Sequence, residues 1–291
     1  MGMTNPAEGP YVSLVVATLG TSDVLARMLE SLTVQSGEVA FEVIIVDQNG
    51  DGRLDEAIAR FHSRMTLTHA KVAFQGASRA RNHGANLARG RWIGFPDDDC
   101  ELRPDTLAKM REAVITGEVP VVSGRTVDES GMASVLRWGA IPERFDRWTM
   151  FRCITECTLF VEATLFNSVG GFDPDFGPGG SYPAAEGIDI VNRLLGRNGQ
   201  GFFFPEIEFV HASKVPPWNE WAVERFGRYA IGDGALIAKS PSLPMLCWGA
   251  RTVVSALRHL VGSRDRLKRA AYLARLRGLA IGVANYRRHQ T

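Results

Sequence analysis

Apolar runs of strand length alternate with segments of helical period through the first two thirds of the chain. Residues 12–17 (VSLVVA) form a continuous apolar run, and residues 23–36 follow with Val24, Leu25, Met28, Leu29 and Leu32 at helical spacing. Residues 42–46 (EVIIV) are a second such run, leading into the turn-rich segment 47–52 (DQNGDG). A helix over residues 54–62 and a strand at 72–74 extend the alternation, and a small-residue helix over 78–88 precedes a further apolar run, 92–96 (WIGFP). Near-continuous apolar strands separated by helices predict an α/β fold with a mostly parallel central sheet flanked by helices. Ligands in such sheets bind beyond the carboxyl ends of the strands. Thr18, Asp47 and Asp97 to Asp99 all follow apolar runs, so they are expected to converge on one edge.

In the second half, Pro104 stands where a helix over 105–115 should begin. Strands are expected at 121–123, 158–161, 202–204 and 207–210, and a helix over 186–197 with Ile188, Val191, Leu194 and Leu195 on one side. The stretch 124–152 has weak periodicity and reads as an active-site loop or flap; 170–180 is a long glycine-rich loop. The main boundary is expected at 214–217 (KVPP). The chain thus divides into a flexible N-terminus (1–10), an α/β domain (11–215) and a basic helical C-terminal region (216–291).

The 291 residues are 45% apolar, enough for a full core, and the net charge of +1 gives no reason to expect a nucleic-acid partner. The charge is unevenly placed: the body carries −8, and the segment from Arg251 onward carries +9. In that segment Leu267, Ala271, Leu273, Leu276, Leu279 and Val283 recur among basic residues. Basic amphipathic helices of this kind lie on anionic membrane faces; packing on the core or a homodimer would also cover the apolar side. No apolar run is long enough to span a bilayer. The N-terminus shows no signal pattern, so a cytoplasmic protein is expected, peripheral on the inner face of the plasma membrane if the basic helices bind lipid. Cys100, Cys153, Cys157 and Cys247 fit no zinc spacing and are expected to stay reduced.

The chemistry centres on Asp97-Asp98-Asp99. Three carboxylates at the end of a buried strand repel one another unless a cation neutralises them, and they are hard oxygen ligands for Mg²⁺ or Mn²⁺. Such a cation commonly also holds the phosphates of a second ligand. The alternative is an exposed acidic turn or a cap for the helix after Pro104. Asp47, at the head of a glycine-rich turn, is either a ligand contact or a turn-former.

These segments, in this order, resemble family 2 glycosyltransferases of the GT-A fold, of the kind that build bacterial polysaccharides. The likeness covers residues 10–215 and rests on 12–18 (VSLVVAT), Val46-Asp47, the helix at 78–82 (SRARN) with Gly84, Phe95 to Asp99 as the DxD region, 169–173 (VGGFD), and Glu186-Gly187-Ile188-Asp189 with Arg193. It implies an inverting, metal-dependent transfer from a nucleotide-diphosphate sugar, with a UDP-sugar expected, to a saccharide or lipid-linked acceptor. Donor contacts would be Thr18, Asp47, Arg79, Asn82, Asp97 and Asp98, and the cation, Mn²⁺ or Mg²⁺, would be held by Asp97 and Asp99 with His211. Many members carry Glu-Asp where this chain has Glu186-Gly187, so the base is Glu186 or, one turn later, Asp189. Trp138, Trp148 and Asp173 are candidates for the acceptor side. Two other readings are a sugar-phosphate nucleotidyltransferase, against which stands the lack of a cation in 17–22 (ATLGTS), and a non-catalytic sugar-nucleotide binder.

Overall fold

In the computed structural model, residues 9–211 and 218–289 are described. The expected boundary at 214–217 and most of the flexible N-terminus lie outside them. The strands are β1 (Val12–Thr18), β2 (Phe41–Asp47), β3 (Leu67–Lys71), β4 (Trp92–Gly94), β5 (Glu101–Leu102), β6 (Val121–Val127), β7 (Glu143–Phe145), β8 (Leu159–Glu162) and β9 (Gly201–Val210). The helices are α1 (Ser22–Thr33), α2 (Asp55–Ala59), α3 (Ala77–Leu87), α4 (Thr106–Gly117), α5 (Ala163–Ser168), α6 (Glu186–Asn198), α7 (Glu220–Lys239), α8 (Leu243–Gly262) and α9 (Arg266–His289).

The strands form one sheet in the order β3-β2-β1-β4-β8-β6-β9-β5, with β7 also pairing to β9. The half built from β3, β2, β1 and β4 is parallel throughout. Antiparallel β8 then joins β4 to β6, while β6 and β9 run parallel. Burial on both faces explains the unbroken apolar runs. Leu14, Val16, Val43 and Ile45 pack on one side with Leu25 and Leu29 of α1 and Leu107 and Met110 of α4. Val15, Ile44 and Val46 pack on the other with Ala80 of α3 and Ile190, Val191 and Leu194 of α6. Gly84 lets α3 lie directly on β1, since a Cβ there would overlap the Val15 side chain.

The structure moves some expected elements. The third strand is Leu67–Lys71, ahead of the expected 72–74. It pairs with β2 alone, so its outer side faces solvent and its sequence (LTHAK) lacks an apolar run. The expected strands 202–204 and 207–210 are one strand with an irregularity between them. Pro205 has no N–H for a ladder, and the β6–β9 register slips between Ser123 and Arg125 at this point. The weakly periodic stretch 124–152 contains the end of β6 and the short strand β7, stitched to β9.

The C-terminal helices pack on the α/β core. Ala235 and Leu236 of α7 and Met245 of α8 belong to the same apolar cluster as α3 and α6. The side chain of Phe151 stacks on Trp248 of α8, with ring centroids 5.0 Å apart. Lys239, at the end of α7, ion-pairs with Asp173 at 2.6 Å and Asp189 at 2.7 Å. No described helix is long and apolar enough to cross a membrane.

Candidate active site

Strand β4 ends at Gly94, and the next residue, Phe95, is wedged between Phe166 and Phe172 at centroid distances of 5.1 and 4.9 Å. Pro96 then turns the chain, and three successive aspartates emerge at the carboxyl edge of the sheet. Each meets a different partner. Thr18, the buried last residue of β1, donates its Oγ1–H to Oδ2 of Asp98 at 2.6 Å. Asp97 Oδ1 accepts from Nη2 of Arg81 at 2.7 Å. Asp99 Oδ1 lies 3.4 Å from Nε2 of His211, just past β9. Side chains 80 and more than 100 residues apart are thereby collected at one edge.

Ligand atoms of Asp97, Asp99, Cys100 and His211 lie within 4.8 Å of one another. Cys100 is buried, and its hydrogen bond with Cys157, together with burial, pushes its thiol pKa well up. Without a cation this favours the thiol over the thiolate, and a thiol is a poor ligand. Two carboxylates and an imidazole remain, a donor set that suits Mn²⁺ and accepts Mg²⁺. A second grouping, Asp47, Asp55 and His69, fits a cation less well. Asp47 Oδ1 already accepts from the backbone N–H and side-chain amide of Asn49 at 2.8 and 2.9 Å. Its Oδ2 lies 3.0 Å from His69, and Asp55 is paired with Lys71 at 2.6 Å.

Behind the aspartates lies a buried charge cluster centred on Arg81. Its guanidinium reaches Asp97 and, at 3.4 Å, Oε1 of Glu186, and it sits 5.6 Å from the centroid of the Phe172 ring. Burial opposes the charged guanidinium, but Asp97, Glu156 and Glu186 outweigh it and raise its pKa. Glu186 opens α6 immediately after Ala185, which has a left-handed backbone (φ 73°). A non-glycine residue held there costs about 1–3 kcal/mol and signals a tightly determined turn. Burial raises the Glu186 pKa, and Arg81 holds it down in part. Glu156, in the turn ahead of β8, is the third carboxylate. Burial, then the charges of Glu186 and Asp97, push its pKa up to about 7.

The structure thus brings together Thr18, Asp97, Asp98, Asp99, His211 and Glu186, and assigns other expected residues to different work. Asp189 is fully buried. Its Oδ2 accepts from Arg193 Nε and Nη2 at 2.9 and 2.8 Å and its Oδ1 from Lys239 at 2.7 Å, so it serves an ion-pair network and has no room to act as a base. Asp173 belongs to the same network; despite burial, its hydrogen bond from Lys239 lowers its pKa. Asn82 clamps the backbone of Phe172, donating to its carbonyl at 2.7 Å and accepting from its N–H at 2.8 Å, so both ends of the amide are used within the fold. Arg79 is exposed and lies over Phe74, 4.6 Å from the ring centroid. The Asp47 carboxylate has no exposed surface, and its Oδ1 bonds hold its own turn. Trp138 stacks on Phe203 and donates its indole N–H to the Ser134 carbonyl at 2.9 Å, a packing role. Trp148 is half exposed and its side chain makes no ring contact among the described residues.

Sequence reasoning missed Arg81 and Glu156. Arg81 was legible in phase: Ser78, Arg81, Gly84 and Ala85 form the buried stripe of α3, while the Arg79 singled out by the motif lies on the outer face. Glu156 carries a fainter mark, one acid within the otherwise uncharged run 153–161 (CITECTLFV).

An α/β sheet with this strand order and an acidic carboxyl edge is a GT-A-like fold. The chain belongs to glycosyl transferase family 2: a model of that family matches residues 13–162. Among relatives, the succinoglycan biosynthesis protein ExoO of Rhizobium meliloti is 36% identical over 103 residues, covering 35% of this chain and 29% of that protein. A PGL/p-HBAD biosynthesis glycosyltransferase of Mycobacterium bovis is 31% identical over 172 residues, covering 56% and 64% respectively. The chain therefore spans less than two thirds of the length of these relatives. Among solved structures, the mannosyltransferase PcManGT of Pyrobaculum calidifontis, in complex with GDP-Man and Mn²⁺, superposes with a TM-score of 0.61 at 16% identity, covering 99% of this chain and 90% of that one. S. aureus TarS 1–349 in complex with UDP-GlcNAc gives 0.59 at 13%, covering 96% and 92%. At these identities the likeness is one of fold.

Proposed function

We propose that this chain is an inverting glycosyltransferase that uses a divalent cation and a nucleotide-diphosphate sugar, with a UDP-sugar as donor. The observation that carries the reading is the convergence of Asp97, Asp99 and His211 at the carboxyl edge of the sheet, where nucleotide ligands of α/β folds bind. Asp97, Asp99 and His211 would hold Mn²⁺ or Mg²⁺, which when bound neutralises charge on the diphosphate leaving group. Thr18 orients Asp98 on the donor side. Arg81 holds Asp97 and Glu186 in fixed geometry between the donor edge and the N-terminus of α6. The proton of the attacking hydroxyl is taken up at the Glu186–Glu156 carboxylate pair, where burial raises both pKa values and brings that of Glu156 to about 7, suited to a base working near neutral pH. The domain division proposed is an α/β transferase domain through residue 215 followed by the basic helices.

The acceptor proposed is a saccharide or a lipid-linked saccharide, as the names of the relatives in succinoglycan and PGL/p-HBAD biosynthesis suggest. Helix α8 supports contact with an anionic membrane face at the cytoplasmic side: Leu243, Leu246, Val253, Val254, Leu257 and Val261 are exposed along it, interspersed with Arg251 and Arg258. A homodimer through this face is the competing use.

The test is metal-dependent donor binding. Wild type should bind a UDP-sugar more tightly with Mn²⁺ than without, by calorimetry. Asp99→Ala should lose at least tenfold in Mn²⁺ affinity, read directly by the electron paramagnetic resonance of free Mn²⁺. Unchanged Mn²⁺ affinity in that variant would overturn the cation assignment.

A further inference from the structure

The N-terminal turn of α6 has a gap in its side-chain wall at Gly187, and a carboxylate from another element fills it. A Cβ built on Gly187 would lie 2.7 Å from Oε2 of Glu156 and 3.3 Å from both its Cβ and its backbone nitrogen. The absent side chain at 187 is therefore what lets Glu156 lie against the start of α6, beside Glu186. The two glutamates differ in what holds them. Glu186 is paired with Arg81, and a cation on a carboxylate lowers its appetite for a proton. No other side chain among the described residues donates a hydrogen bond to Glu156, although Arg81, Asp97 and Glu186 all lie close enough to act on it through charge. Glu156 also retains some exposure, while Glu186 is buried.

We propose that Glu156, lodged over Gly187, is the catalytic carboxylate that removes the proton from the attacking hydroxyl. Glu186 is then the positioning residue that fixes Arg81 and keeps Glu156 from pairing with it. The inference rests on the sugar transfer proposed above and names its base. In the step, the acceptor oxygen forms a bond to the anomeric carbon. The bond from that carbon to the diphosphate oxygen breaks, and its electron pair leaves with the nucleotide. The hydroxyl proton passes to Glu156, which becomes neutral. No oxidant or further reactant is required.

The experiment follows UDP release from UDP-N-acetylglucosamine and a panel of other UDP- and GDP-sugars with Mn²⁺, with water as the acceptor, alongside calorimetric donor affinity. Glu156→Gln preserves shape and should keep donor affinity within about threefold while kcat falls by about 10²–10⁴, the usual contribution of a positioned base. A double variant then separates chemistry from folding. Glu156→Ala removes the Oε2 overlap that a side chain at 187 would meet, leaving the residue-156 Cβ and backbone nitrogen at 3.3 Å, so adding Gly187→Asp puts a carboxylate back into the gap from the opposite wall. Glu156→Ala/Gly187→Asp should recover at least tenfold over Glu156→Ala alone, which a purely structural role for Glu156 would not produce. A Glu156→Gln enzyme turning over within threefold of wild type, or a double variant no faster than Glu156→Ala, overturns the assignment and leaves the transferase reading standing. A wild type inert toward every nucleotide sugar overturns both.

Discussion

Replacing Arg81 by Met tests whether one guanidinium holds the buried acidic cluster together. The Arg81 side chain is 5% exposed, pairs with Asp97 at 2.7 Å and Glu186 at 3.4 Å, and stands in the field of Glu156. Met keeps much of the volume and removes the charge. Removing one member of a buried ion pair costs about 3–5 kcal/mol, because the remaining charges stay buried and uncompensated. The glutamates can escape part of that penalty by taking up protons, which makes the loss depend on pH. Arg81 lowers the pKa of both Glu156 and Glu186, so in its absence both rise further above their unfolded values. A carboxyl whose folded pKa lies above its unfolded one contributes stability that is present below the unfolded pKa and is lost as pH rises through the folded one. The deficit of Arg81→Met should therefore grow with pH, from under about 2 kcal/mol at pH 5 to about 3 kcal/mol or more at pH 8. Urea denaturation of both proteins at the two pH values, without divalent cation, measures it. A deficit under 1 kcal/mol at pH 8, or one equal at the two pH values, would refute the reasoning.

Two further expectations concern the helices. Burial raises the Asp233 pKa to about 6 against the pull of Arg275, so its contribution is complete below its unfolded pKa and lost as pH rises through about 6. A shift of roughly two units corresponds to about 3 kcal/mol at most, so Asp233→Asn should gain up to that amount over wild type at pH 8 and under about 1 kcal/mol at pH 4, by denaturant titration; a gain equal at both pH values would contradict it. In α9, a Cβ on Gly282 would overlap the Ile231 carbonyl of α7. Gly282→Val should cost about 1–3 kcal/mol or more by thermal unfolding, whereas Gly196→Ala in α6, with nothing within 4 Å of its added carbon, should gain about 0.5–1 kcal/mol; equal effects would remove the packing argument.

The alternating apolar runs located the parallel half of the sheet because strands buried on both faces must be apolar throughout, whatever their neighbours. The same logic failed for β3, an edge strand that needs only one apolar side, and for the two-residue β5, which pairing with β9 creates. Local pattern also located the aspartate triplet, His211 and Glu186. It left open what Asn82, Arg79 and Asp189 meet within the fold, because a motif identifies which residues are polar, while the helix phase and the opposing element decide which protein group each one meets. Asn82 meets the Phe172 backbone and Asp189 meets Lys239, from segments 90 and 50 residues away.

The sheet and the acidic edge are thus properties of the sequence by itself, since they follow from short-range periodicity and from the residues that directly follow a strand, and the family follows from the resemblance that the ordered motifs carry. The tertiary structure alone decided the charge economy behind that edge. Arg81, Asp97, Glu156 and Glu186 come from four separate segments, and no local pattern encodes that they share one buried pocket. Gly187 shows the difference most sharply. In the sequence it is a missing acid; in the fold it is the space that Glu156 occupies.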